Sequence, residues 1–145
     1  MNLAPQLSIE VIYKDSDLIE TRIFACNHNF SGSVNVYHEP DGIKKLSNMI
    51  KGFPKTCKDN INYEAGYLES YAYCGLYFYC IDSSGHTAVR VKMQESAGSE
   101  SRIEAINEVS LELLYDPSAL DLFQHELKAM AAKNEGTAIL YGKKA

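Results

Sequence analysis

Apolar and polar residues alternate along residues 7–13, with Leu7, Ile9, Val11 and Tyr13 on one side and Ser8 and Glu10 on the other. A period of two marks a strand with one buried face. Lys14-Asp15-Ser16-Asp17 then predicts a turn. Alternation resumes over residues 19–25, where Ile19, Ile23 and Ala25 oppose Glu20 and Arg22, and over 30–37, where Phe30, Val34 and Val36 oppose Ser31, Ser33 and Asn35. After that the period changes. Ile43, Leu46 and Ile50 recur at helical spacing. Glu39-Pro40 suits the start of this helix, and Gly52 and Pro54 end it. His38, beside the start, is expected to be solvated or to neighbour the cap rather than to act in catalysis.

The same pattern returns further on. Asp116-Pro117 opens a second helical run, and Leu120, Phe123, Leu127 and Met130 stand where Ile43, Leu46, Ile50 and Phe53 stood, at an offset of 77. Val109, Leu111 and Leu113 match Gly32, Val34 and Val36 at that offset; Leu76, Phe78 and Cys80 match Ile9, Val11 and Tyr13 at 67; Val89 and Val91 match Thr21 and Ile23 at 68. A one-residue slip would swap the faces of a strand, so phase kept through each element carries weight. The chain thus reads as one domain over residues 1–145, with an internal β-β-β-α duplication in halves 6–53 and 61–133. Short connections favour antiparallel pairing. The expected fold class is α+β and two-layer: an antiparallel sheet of six to eight strands, with two amphipathic helices on one face. Asp82-Ser83-Ser84-Gly85 predicts a hairpin turn. Residues 136–141 predict a last edge strand, 94–102 a mobile loop, and 54–62 a lysine-bearing connector between the halves.

Composition narrows the function classes. At 145 residues, 46% hydrophobic and 23% charged, the chain is an ordinary globular domain. It has no apolar run near 18 residues, so no membrane association is expected. The first residues lack a basic n-region and an apolar h-region, so a cytoplasmic protein is expected. Cys26, Cys57, Cys74 and Cys80 form no Cys-x-x-Cys pair and read as reduced thiols. A net charge of −5 argues against a nucleic-acid partner. The charge is regional. Between residues 95 and 126, Glu95, Glu100, Glu104, Glu108, Glu112, Asp116, Asp121 and Glu126 stand against Arg102 alone, a net of −7.

Chemistry-bearing motifs are sparse. There is no phosphate loop, dinucleotide fingerprint or Gly-x-Ser-x-Gly elbow. Cys26 and His28 offer two ligand types where zinc needs four positions filled. Asp82, Ser83 and His86 are more simply turn formers. No catalytic residue, cofactor or metal is assigned, and the chain is not expected to be an enzyme. The sharper feature is tyrosine: ten in all, with Tyr63, Tyr67, Tyr71, Tyr73, Tyr77 and Tyr79 inside 17 residues. If the strand near 71–81 runs unbroken through Gly75, Cys74, Leu76, Phe78 and Cys80 face the helices and Tyr71, Tyr73, Tyr77 and Tyr79 face away. The same open face is expected to carry Glu10, Glu20, Arg22, Arg90, Lys92, Glu104, Glu108 and Glu112. Cross-strand packing accounts for such tyrosines on a wet sheet face. Tyrosine is also enriched at interfaces. The partner-binding candidates are therefore Tyr71, Tyr73, Tyr77, Tyr79, Arg90, Lys92, Glu104, Glu108 and Glu112. The expected partner is another, basic protein. The alternatives are a homodimer and a small-ligand or carbohydrate site on the tyrosine face.

A doubled strand-strand-strand-helix unit over residues 7 to 131, with SSGHTAVRVKM and its Gly85-His86 pair as the mid-chain hairpin, resembles small bacterial immunity proteins of the WapI family. The resemblance implies a cytoplasmic protein-binding module that neutralises a toxin of neighbouring cells. It implies no site residue, because no functional position of that family maps onto this sequence.

Overall fold

The computed structural model describes residues 3–66, 71–96 and 102–144. In chain order these form β1 (Gln6–Lys14), β2 (Ile19–Cys26), β3 (Ser31–His38), α1 (Gly42–Ile50), β4 (Asn60–Gly66), β5 (Ala72–Cys80) and β6 (Thr87–Glu95). A 3-10 turn (Ile103–Ala105), β7 (Asn107–Leu114), α2 (Pro117–Lys133) and β8 (Thr137–Tyr141) follow. The architecture is the antiparallel α+β one that the sequence patterning predicts. Its eight strands are shared between two sheets of four, ordered β3-β2-β1-β8 and β4-β5-β6-β7. The division follows from where each helix sends the chain. After α1 the chain enters β4, which pairs with β5; after α2 it enters β8, which returns to the free side of β1. Part of the expected connector is thus strand, with Ile61 and Ala65 turned inward.

β3 lies against all four strands of the second sheet. β7 receives hydrogen bonds from the first sheet's turns and tail: Asn27 Nδ2 donates to the Glu112 carbonyl (3.2 Å), and the Lys143 amide donates to the Leu114 carbonyl (2.8 Å). The approach is tight at Gly32, where an added Cβ would sit 2.5 Å from Val109 Cγ1 and 3.1 Å from Met93 Cε. Both inward faces and both helices build one continuous core, which includes Leu7, Ile23, Val36, Leu76, Phe78 and Leu111.

The helix stripes pack as their spacing predicts: Ile43, Leu46 and Ile50 of α1 and Leu120, Phe123, Leu127 and Met130 of α2 are buried. α1 packs on α2, and Gln124 Nε2 donates across this contact to Ser47 Oγ (3.0 Å). α2 starts at Pro117 behind Asp116, as expected, and ends at Asn134 in the left-handed region (φ 51°). α1 starts later than Glu39-Pro40 suggests: Asp41 holds the cap position and Pro40 lies in the preceding turn.

Three burial expectations are corrected. Tyr13 is 52% exposed, because the β1–β2 register shifts between Val11 and Tyr13 and turns the strand end outward. Phe30 is 63% exposed, because it lies in the turn before β3 and its amide donates to Asn27 Oδ1. His38 is buried rather than solvated. The Asp82 turn forms as expected: its carboxylate accepts from the Ser84 and His86 amides, and Gly85 takes a positive φ of 88°. Residues 97–101 of the expected loop, and Tyr67, fall outside the described residues. No helix among the described residues is long and apolar enough to cross a membrane.

Candidate functional site

β5 is unbroken at Gly75, so the tyrosine stripe forms. Register places Asn62, Tyr77, Arg90 and Glu112 in one row across the second sheet; Glu64, Gly75, Lys92 and Ser110 in the next; and Gly66, Tyr73, Gln94 and Glu108 in a third. The structure therefore brings Tyr73, Tyr77, Tyr79, Arg90, Lys92, Glu108 and Glu112 onto one outer face. It does not bring all the expected residues there. Glu104 stands in the 3-10 turn, because the strand begins only at Asn107. Tyr71 precedes β5. Glu10, Glu20 and Arg22 belong to the first sheet, a consequence of the division into two sheets. The acidic run of 95–126 is also dispersed: Glu95 ends β6, Glu108 and Glu112 lie on β7, Asp116 stands at the N-cap position of α2, and Glu126 accepts the Ile139 amide (2.9 Å).

The carboxylates of this outer face already have donors. Tyr73 Oη donates to Glu64 (2.7 Å), Gln94 to Glu108 (3.2 Å) and Tyr79 to Glu112. Tyr77 stacks on Tyr79 with ring centroids 5.0 Å apart. Tyr73 folds back over Gly75, where an added Cβ would meet its Oη at 2.5 Å. Burial, and then the bond to Glu64, hold the Tyr73 phenol above its ordinary range. Burial and the Glu112 bond push Tyr79 up to about 12, against an opposing pull from Arg90.

Glu64 also borders a second place, where carboxylates without an ion-pair partner among the described residues gather. Between the two sheets opens a cleft of about 1500 Å³. One wall comes from the first sheet and the start of α1, with Asp17, Glu20, Arg22, Tyr37, Glu39 and Lys45; the other comes from the β4–β5 hairpin and the end of β6, with Glu64, Tyr71 and Glu95. His38 and Tyr63 stand between the walls. His38 Nε2 shares a hydrogen bond with Thr21 Oγ1 (2.6 Å) and Nδ1 another with Tyr63 Oη (2.7 Å). A neutral imidazole donates from one nitrogen and accepts at the other, so this chain of three groups is satisfied with the ring uncharged. Burial enforces that state, drawing the His38 pKa down to about 4 and holding the Tyr63 phenol well above its usual range.

Five carboxylates of the lining thus face two cations. Both cations are engaged: Arg22 pairs with Glu10 (3.6 Å), and Lys45 with Glu39 and Asp41 (3.5 Å each). Among the described residues, Asp17, Glu20, Glu64 and Glu95 have no ion-pair partner. Tyr71, 62% exposed, and Tyr37, 56% exposed, stand in the same lining. A concave, negative, aromatic-walled surface suits a cationic ligand.

The outer face was visible as a period-two stripe; the cleft was not, because its lining comes from six separate elements and connections. A signal existed in the inward phase. Thr21 follows Ile19, His38 follows Val34 and Val36, and Tyr63 lies between Ile61 and Ala65, so each is a polar group placed on the core side of its strand. Such groups need partners, and here they partner one another.

No family model, curated protein or solved structure matches this chain.

Proposed function

We propose that the chain is a non-enzymatic, cytoplasmic protein-binding module that captures a basic partner, acting as an immunity-type protein of bacterial origin that occludes a toxin's basic surface. The observation that carries this reading is the four cleft carboxylates that have no ion-pair partner among the described residues. Exposed like charges in a concave site repel one another, and a cationic partner relieves that repulsion while speeding encounter. His38 supports a binding role rather than an acid–base one: both its nitrogens are bonded and its proton affinity lies far below neutral pH. We also read residues 6–53 and 61–133 as two copies of one β-β-β-α unit, with β4 standing ahead of the second copy's three strands; the meeting of Gly32 with Val109 and of Ser47 with Gln124, both pairs 77 apart, supports this.

The test is capture from native bacterial lysate with the wild-type chain and with Glu20→Lys/Glu64→Lys/Glu95→Lys as bait, at low and raised salt. The expected result is one basic protein recovered stoichiometrically by wild type, lost with salt and not recovered by the variant. Equal recovery by both baits, or bait alone throughout, overturns the reading. A second reading, self-association or small-ligand and carbohydrate binding on the tyrosine face, draws on exposed Tyr77 stacked on half-buried Tyr79. It expects twice the monomer mass by light scattering, reduced by Tyr77→Glu, or a thermal shift with a sugar.

A further inference from the structure

We infer that the cleft's occupant is an extended, lysine- or arginine-bearing segment of the partner polypeptide, laid between the two walls; this rests on the protein-binding reading above. Size is the first reason. About 1500 Å³ exceeds the roughly 300–1,000 Å³ of small-molecule pockets, and suits several residues of chain. The placement of charge is the second. Asp17, Glu20 and Glu39 stand on one wall and Glu64 and Glu95 on the other. An extended chain projects successive side chains in opposite directions, so neighbouring cations reach opposite walls. The borders are the third reason. β3 ends the first sheet and β4 ends the second, and both line the cleft. Edge strands are where added segments find main-chain hydrogen bonds. The fourth is the pair of exposed tyrosines, Tyr37 and Tyr71, one on each wall, whose ring faces attract guanidinium and ammonium groups. The lining residues His38 and Tyr63 contribute shape rather than charge, since they and Thr21 behind them hold one another in a neutral chain of hydrogen bonds.

Fluorescence anisotropy with a fluorescein-labelled peptide alternating arginine and threonine tests this, with the glutamate–threonine peptide as control. The arginine peptide binds and the control does not. Glu20→Gln/Glu64→Gln weakens binding about tenfold or more, while Glu108→Gln/Glu112→Gln on the outer face changes it less than about twofold. Glutamine keeps the acceptors for Tyr73 and Tyr79, so both variants retain those contacts. Equal loss in the two variants overturns the cleft as the seat. Spermine binding as tightly as the peptide, with the same dependence, overturns a polypeptide occupant in favour of a small cation. Failure of the peptide while the lysate partner is still captured overturns the extended segment and leaves protein binding standing; failure of both removes both.

Discussion

Gln124 of α2 donates from Nε2 to both Oγ (3.0 Å) and the main-chain carbonyl (3.3 Å) of Ser47 on α1, and the two residues stand 77 positions apart. That is the offset at which the two helix stripes superpose. Gly32 and Val109, also 77 apart, meet where β3 crosses β7. Residues alike in their place along the pattern thus touch each other at the helix–helix contact and at the sheet–sheet contact.

Removing the donor at the helix contact strands a buried hydroxyl. Gln124→Ala is expected to cost about 1–3 kcal/mol in urea denaturation, since Ser47 and Gln124 are both buried. Ser47→Ala added to it costs less than the sum of the single changes, because no orphan is then left. Additive losses in the double-mutant cycle would show that the two side chains do not act on each other.

The Gly32 contact admits no methyl group. Gly32→Ala places a Cβ 2.5 Å from Val109 Cγ1, and overpacking of this kind costs about 1–3 kcal/mol. Val109→Ala in the same chain recovers most of the loss. Thermal melting of the single and double variants reads this directly; a Gly32→Ala chain as stable as wild type would contradict the close approach.

Stability falls as pH drops from 6.5 toward 4. His38 is neutral in the folded chain down to about 4, whereas the unfolded imidazole protonates near 6.5. Between these values the unfolded state binds the extra proton, so its stabilisation is full above 6.5 and is lost progressively below. The difference amounts to roughly 3 kcal/mol. His38→Gln keeps a donor and an acceptor but does not titrate. Its unfolding free energy, measured by denaturant at several pH values, is expected to show a shallower slope across this window, and an unchanged slope would acquit His38.

Gly75→Ala tests the outer face. The new methyl displaces the end of the Tyr73 ring, which meets that position at 2.5 Å, and breaks its bond to Glu64. The Tyr73 phenol then returns from its raised value toward the ordinary range near 10. Spectrophotometric titration is expected to gain one phenol in that range. The same change frees Glu64 at the cleft wall, so cationic peptide binding should not weaken.

Much of this was legible in local periodicity. Burial of Ile43, Leu46, Ile50, Leu120, Phe123, Leu127 and Met130 follows from helical spacing, and the Tyr73–Tyr77–Tyr79 face from a period of two. Each depends only on residues near in sequence. What local pattern does not encode is which edges stay unpaired. That β8 returns to β1 while β4 joins β5 depends on contacts between distant segments, and it splits one expected sheet into two. The split moves Glu10, Glu20 and Arg22 away from the tyrosine face and opens the acidic cleft. His38 departs from the expected solvated position for a related reason. Its neighbours Glu39 and Pro40 suggest a solvated helix start, but its strand phase with Val34 and Val36 turns it inward, to partners 17 and 25 residues away.

The pairing of β8 with β1 also sets an order of manufacture. The second sheet is drawn from a contiguous stretch and is complete once Leu114 has been made; the first waits for Thr137–Tyr141. At ordinary synthesis rates β1 emerges on the order of ten seconds before its last neighbour, with one side open to other chains. Every residue lining the cleft lies between Asp17 and Ser96, so the acidic cleft leaves the ribosome before the strand that fastens the first sheet.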